Sequence, residues 1–149
     1  MPKVERSITI NAPVEQVFAY IEDPMNEVEH IPGVIEIKDV TGSGVGAHNG
    51  WVYKMAGLRF EGETTVTEHI PNERIVTQTK GGIASTWTYT FEPHDGDTKL
   101  TMNVEYTIPV PVLGKLAEKL VLKRNEREAD LNMANIKESI EGRTSASQT

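Results

Sequence analysis

The sequence has no cysteine, few aromatic residues and no long apolar run. The absence of cysteine excludes disulfides, thiolate metal sites and cysteine nucleophiles. No stretch approaches the roughly 20 apolar residues of a membrane span, and the N-terminal MPKVERSITI lacks the apolar segment of a secretory signal. These absences predict a cytoplasmic protein without a membrane span.

Positive charge is also scarce, since 15 Lys and Arg face 22 Asp and Glu for a net charge of −7. That balance argues against a nucleic-acid-binding protein, which needs a basic face to neutralise phosphates. The four histidines have no metal-ligand spacing, and there is no G-x-S-x-G nucleophile motif. We therefore predict neither a metal nor a cofactor.

What is present is a chain of 149 residues with the composition of one folded domain. We predict a single domain over residues 1–141 and a flexible polar tail over residues 142–149. Residues 3–10 alternate as in a half-buried strand. Two short helices follow, because NAPVEQVFAYIED and DPMNEVEH each place a proline where a first helical turn accepts it.

Between residues 34 and 108 apolar residues recur at every second position, which is typical of strands joined by short turns. The alternation predicts six further strands, at 34–40, 49–55, 58–70, 74–80, 83–92 and 98–108. In the strand 58–70 it predicts Leu58, Phe60 and Ile70 on one face and His69 on the other. The large residues of the inward faces are Trp51, Tyr53, Phe60, Trp87, Tyr89, Phe91, Met102 and Tyr106.

A last helix is predicted from Val112 to Glu141, with Gly142 just beyond its end. Its apolar residues form two stripes on nearly opposite sides, an early one with Leu116 and Leu120 and a later one that includes Ala129, Met133, Ile136 and Ile140. A basic strip recurs every fourth residue, at Lys115, Lys119, Lys123 and Arg127. The strip is typical of a solvated helix face, and transient contact with a membrane surface or partner is the sharper interpretation.

The stretch TGSGVGAHNG fits the dinucleotide pattern G-x-G-x-x-G/A through Gly42, Gly44 and Ala47. A dinucleotide site needs a helix after the glycines, whereas a strand pattern follows here. The sequence therefore favours a hairpin loop in which Gly42, Gly44 and Gly46 supply positive φ angles.

The order of strand, two short helices, six antiparallel strands and a long helix resembles the helix-grip fold of the START/Bet v 1-like (SRPBCC) superfamily. The motifs that carry the resemblance are SITINAPVEQVFAYIEDP, GSGVGA, HIPNERIV and DGDTKLTMNVEY, and it is strongest to polyketide cyclase/dehydrase-like and coenzyme Q-binding-like proteins. The resemblance implies an α+β fold in which a seven-stranded antiparallel sheet curves around the C-terminal helix. It also implies a cavity for apolar molecules between the two, with the loop of Gly42, Gly44 and Gly46 at its mouth.

The eight inward-facing residues above, with Leu116 and Leu120, are therefore the predicted ligand-binding set. A plain hydrophobic core is the alternative for each of them. The predicted function is binding or transport of a small hydrophobic ligand such as a lipid, quinone or polyketide-like compound. The alternatives are a cyclase or dehydratase, which would move protons through Tyr53, Tyr89 or Glu126, and an accessory protein that docks on a partner through the basic strip.

Overall fold

A computed structural model describes the backbone of residues 3–55, 57–81, 84–107 and 114–147, and their side chains except at 55, 107, 114–122 and 144–147. The chain begins with strand β1 (Lys3–Ile10), helix α1 (Val14–Glu22), a 3₁₀ turn (Pro24–Asn26) and helix α2 (Glu27–His30). Six further strands precede the long helix α3 (Gly114–Ser147). They are β2 (Val34–Thr41), β3 (His48–Met55), β4 (Leu58–Ile70), β5 (Arg74–Lys80), β6 (Ala84–His94) and β7 (Asp97–Thr107).

The seven strands form one antiparallel sheet in the order β1-β7-β6-β5-β4-β3-β2. Strands β2 to β7 pair with their sequence neighbours, because their connecting loops are short. The helices α1 and α2 carry the chain from one edge of the sheet at β1 to the other at β2. The predicted α+β helix-grip fold is confirmed.

The hydrophobic core lies between the sheet, α1 and the second half of α3. Of the two predicted stripes of α3, the later one is buried there through Ala129, Met133, Ile136 and Ile140. The earlier stripe, with Leu116 and Leu120, lies outside the described side chains. Of the basic strip, Lys123 and Arg127 are exposed, and Lys115 and Lys119 lie outside the described side chains.

The end of α3 departs from the prediction, since the helix continues through Gly142 to Ser147. Contacts made by this last part hold it to α1 and α2. The Arg143 guanidinium donates to both carboxylate oxygens of Glu29 at 2.9 Å and lies 4.9 Å from the centre of the Tyr20 ring. The Tyr20 hydroxyl donates to the same Glu29 carboxylate at 3.1 Å. Tertiary contact therefore outweighs the helix-breaking tendency of Gly142.

The face prediction for β4 is wrong beyond Val66. Val66 pairs with Thr77 and Glu68 pairs with the adjacent Val76, so Thr67 is an extra residue that bulges from the ladder. Beyond the bulge, the residues of β4 that face the interior are those predicted to face outward. His69 consequently points inward, with its ring 5.3 Å from that of Phe18, while Ile70 is exposed.

In the described part of the chain, no helix is both long enough and apolar enough to cross a membrane.

Candidate functional site

A cavity of about 210 Å³ lies between the inner face of the sheet, α2 and the middle of α3. Its walls are apolar over most of their area and are rich in aromatic rings. The helices contribute its carboxylate and carboxamide groups, as Glu27 of α2 and Asn125, Glu128 and Asn132 of α3, and the sheet contributes hydroxyl groups of threonine, serine and tyrosine side chains. The sheet and helices therefore border a pocket that the described side chains do not fill.

Most of the predicted ligand-binding residues line this cavity. Those brought together are Trp51, Tyr53, Phe60, Trp87, Tyr89, Met102 and Tyr106. Phe91 is not among them. It continues the inward face of β6 past the cavity to α1, where its ring meets that of Phe18 edge-on at 5.1 Å. Leu116 and Leu120 lie outside the described side chains, and ligand contact by any of these residues stays a prediction.

The glycine loop is a β-hairpin connection between β2 and β3. Gly42, Gly44 and Gly46 all have the positive φ expected of them, at 76°, 69° and 91°. The loop is tied to β4, because the Gly46 amide donates to the Val66 carbonyl at 2.8 Å and the Val66 amide donates to the Ala47 carbonyl at 2.9 Å. A strand follows the glycines, so no helix N-terminus is present to bind a pyrophosphate. None of the three glycines lines the cavity, and a position at its mouth stays a prediction.

Two glycines make room for the aromatic walls. A Cβ on Gly62 would lie 2.3 Å from Cζ2 of Trp51 on the neighbouring strand β3. A Cβ on Gly33 would lie 2.4 Å from Cε2 of Tyr53. Because glycine has no side chain, each ring packs directly against the glycine backbone, and this contact orients the ring.

Tyr53 and Glu128 form the polar group at one side of the cavity. The Tyr53 hydroxyl lies 3.0 Å from both carboxylate oxygens of Glu128, to which it donates. Burial, and then the charge of Glu128, raise the pKa of Tyr53 to about 12. Arg124 donates to the same carboxylate at 3.2 Å, so Glu128 is matched by a cation.

A second polar group, centred on Asn132, is buried. The Asn132 amide nitrogen lies 3.1 Å from the Met102 sulfur and 3.5 Å from the Tyr89 hydroxyl. Its carbonyl oxygen therefore accepts from Nδ1 of His30, at 2.5 Å. Burial lowers the pKa of His30 to about 4, and among the described residues Nε2 has no partner for a second proton. His30 is thus a neutral hydrogen-bond donor that positions Asn132.

Glu27 is the group that sequence reasoning missed. We assigned no chemical role to the acidic residues of α2, because acidic residues in a first helical turn are ordinary partners of the helix dipole, but Glu27 forms part of the cavity wall. The residue as a whole is half-buried, and its carboxyl end lies on the interior side, where burial raises the pKa from 4.5 to about 7. Within the described residues its carboxylate has no hydrogen-bond or ion-pair partner. The signal available in the sequence was only its position three residues before the buried His30, on the same side of the helix.

Glu126 is exposed, which is the position that the sequence favoured for a glutamate at the edge of the stripe, and its neighbours Asn125 and Glu128 line the cavity instead. The apolar stripe was predicted correctly, but Glu126 lies beyond its edge. Over the described residues no group of three or more acidic or histidine side chains has the geometry of a metal site.

A sequence model of the family described as "Polyketide cyclase / dehydrase and lipid transport" matches residues 1–141. The chain belongs to this family. A relative from Streptomyces lincolnensis, an uncharacterized 17.2 kDa protein of the melC2-rnhH intergenic region, is 30% identical over 133 residues. That match covers 88% of this chain and 85% of the relative.

Several solved structures share the fold. TTHA0849 from Thermus thermophilus matches with a TM-score of 0.83 at 21% identity, covering 95% of this chain and 98% of that one. The Zhui aromatase/cyclase from Streptomyces sp. R1128 matches with a TM-score of 0.78 at 14% identity, covering 95% and 94%. Ara h 8.0201 matches with a TM-score of 0.67 at 15% identity, covering 94% and 97%. At these identities the likeness establishes the fold, and function has to be argued from the site.

Proposed function

We propose that the protein binds a small hydrophobic ligand in the cavity between the sheet and α3. The observation that carries this proposal is a largely apolar pocket of about 210 Å³, lined by both tryptophans, by further aromatic side chains of the sheet and by Met102. Ligand sites are typically concave and mostly apolar with a few polar groups, and this pocket has that character.

The volume limits what fits. An apolar cavity of about 150 Å³ accepts benzene. A space of about 210 Å³ suits one or two rings, or a short chain, but not a whole diacyl lipid. A lipid, quinone or polyketide-like molecule would therefore place its ring system or the end of one chain inside.

Native mass spectrometry of freshly purified protein tests whether a molecule is carried. Phenylbutanol is a suitable neutral probe, and the fluorescence of Trp51 and Trp87 reports on it because both indoles line the cavity. Ala129→Leu adds bulk at a buried residue of the cavity wall. Ala134→Leu makes the same change on the exposed side of α3.

We expect phenylbutanol to alter the tryptophan emission with saturation, and Ala129→Leu to weaken its binding at least about tenfold. Ala134→Leu should leave the affinity within about twofold. Equal affinities for the two variants would place the probe elsewhere, and no saturable binding of phenylbutanol together with no carried mass would refute the proposal.

An enzyme of the polyketide cyclase/dehydratase type is the second candidate, and the Tyr53–Glu128 pair favours it. A hydroxyl held between a carboxylate and a cavity can pass a proton to or from a bound carbonyl compound. Turnover of a linear polyketone, followed by mass spectrometry of the products, tests this function. Tyr53→Phe and Glu128→Gln should each lower kcat by about a hundredfold or more, and unchanged rates in both would remove the pair from consideration.

A further inference from the structure

We propose that the ligand is a cation, an apolar molecule whose ammonium group lies beside Glu27 among the aromatic rings. This inference rests on the proposed function, because it names the chemical class of ligand for the same cavity. It is carried by three features of the cavity: the sign of its charged groups, the unpartnered state of one of them, and its ring-lined wall.

The charged groups that line the cavity are all acidic. Among the described side chains these are Glu27 and Glu128, with no lysine, arginine or histidine in the wall. A carboxylate ligand would meet like charge there. A neutral ligand would leave the charge of an ionised Glu27 uncompensated in a largely apolar pocket.

The two carboxylates differ in how they are matched. Glu128 accepts hydrogen bonds from Tyr53 and Arg124, so its charge is balanced within the protein. Glu27 has no such partner in the described part of the chain, and burial is the cause of its raised pKa. A carboxylate that lines a largely apolar pocket without a counter-ion favours a ligand that supplies one.

The rings provide the other half of a cation site. Trp87 and Tyr89 stack with their centres 6.4 Å apart, and the Trp87 indole N–H is held by the Ser85 hydroxyl at 2.9 Å. Tyr53 and Phe60 lie 6.4 Å apart on the adjoining wall. Aromatic faces attract an ammonium group by their quadrupole, most strongly where water is excluded.

The titratable groups around Glu27 do not neutralise it. Tyr89 from β6 shares the cavity, Tyr53 and Arg124 are engaged with Glu128, and β2 contributes only the apolar Val34. On α2 itself, His30 is uncharged at neutral pH. Ionisation of Glu27 consequently depends on pH and on what the cavity holds.

The test compares three probes of one shape: phenylbutylammonium, phenylbutanol and phenylbutanoate, titrated by calorimetry at pH 6 and pH 8. At pH 8 the ammonium should bind at least about tenfold more tightly than the alcohol, and the carboxylate more weakly than either. Because the pKa of Glu27 is about 7 in the free protein, the ammonium affinity should fall about tenfold from pH 8 to pH 6. Binding at pH 6 should also release close to one proton, measured in two buffers of different ionisation enthalpy.

Glu27→Gln keeps the shape of the side chain and removes the charge. It should abolish the preference for ammonium over alcohol and the proton release. The matched control Glu15→Gln removes one charge from an exposed site on α1 and should change neither.

The outcomes separate the two proposals. Equal binding of alcohol and ammonium would overturn the cation inference and leave the hydrophobic site standing, whereas no binding of any probe would overturn both. The wild-type proton release keeps the inference testable even if the Glu27→Gln protein folds poorly.

Discussion

Replacing Glu27 by Gln should stabilise the protein at alkaline pH, although the same change should impair cation binding. In the folded protein, burial places the pKa of Glu27 at about 7, against 4.5 for the unperturbed group. The native state therefore binds more protons than the unfolded state between these values. The contribution of protonated Glu27 to the free energy of unfolding is fully present below pH 4.5 and is lost as pH rises through 7.

The magnitude follows from that rise in pKa. A change from 4.5 to about 7, at about 1.4 kcal/mol for each pH unit, means that the ionised carboxylate costs at most about 3 kcal/mol. Gln cannot ionise, so the variant avoids this cost above pH 7 and matches the protonated wild type near pH 4. At about 2–4 °C per kcal/mol for a domain of this size, the melting temperature should rise by about 6–12 °C at pH 8.

His30 contributes with the opposite sign. Its pKa is lowered from 6.5 to about 4 by burial, so its contribution is present above pH 6.5 and is lost as pH falls through 4. In the wild type the two groups oppose each other between about pH 4.5 and 6.5. In the Glu27→Gln variant only the pH dependence of stability that His30 causes should remain of these two. The variant should therefore lose stability on acidification more steeply than the wild type.

Urea denaturation followed by circular dichroism, at intervals from pH 4 to pH 8.5, measures both curves. The difference between variant and wild type should grow from near zero at pH 4 to a plateau above pH 7. Two parallel curves would refute the reasoning, because they would mean that Glu27 has the same pKa in the folded and unfolded states.

The remaining predictions concern packing and the buried polar group. Gly62→Ala places a Cβ 2.3 Å from the Trp51 ring and should cost at least about 1–3 kcal/mol of unfolding free energy with a shift in tryptophan emission. Gly142→Ala, where a Cβ meets nothing within 4 Å, should instead stabilise by about 0.5–1 kcal/mol, and a loss there would contradict the helical end of the chain. Asn132→Ala removes the acceptor of the His30 ring and should cost about 1–3 kcal/mol in urea denaturation; a neutral result would mean that water replaces the lost bond.

Most of the fold could be predicted from the spacing of apolar residues and from the turn residues. All seven strands were predicted to within two residues of the observed ends, because each strand is bounded by glycine, proline or an abrupt change of period. The bulge at Thr67 was not predictable, since an inserted threonine in a threonine-rich strand leaves no break in composition. The extension of α3 past Gly142 also depends on contacts remote in sequence, such as Arg143 with Glu29.

The aromatic wall of the cavity was predictable because strand alternation fixes which side chains share a face. The positions of the polar groups in the cavity were not predictable in this way. Glu126 and Glu128 lie two residues apart, so their side chains project from α3 in directions roughly 200° apart. One of them therefore faces solvent when the other faces the cavity, and which one does so depends on how the helix is rotated against the sheet. Glu27 belongs to a four-residue helix with no stripe to orient it, and its direction is set by packing against α3 and β2.

Glu27 is difficult to explain as a structural residue. A carboxylate in a largely apolar pocket normally contributes to stability through its hydrogen bonds or counter-ion, and in the described residues Glu27 has neither. Its neighbour His30 shows the contrast, because that ring donates to Asn132 and so connects α2 to α3. Removing the charge at Glu27 should therefore increase stability while removing selectivity for a cation. A residue that served the fold alone would move both measurements in the same direction, and the paired stability and binding assays on Glu27→Gln decide between these roles.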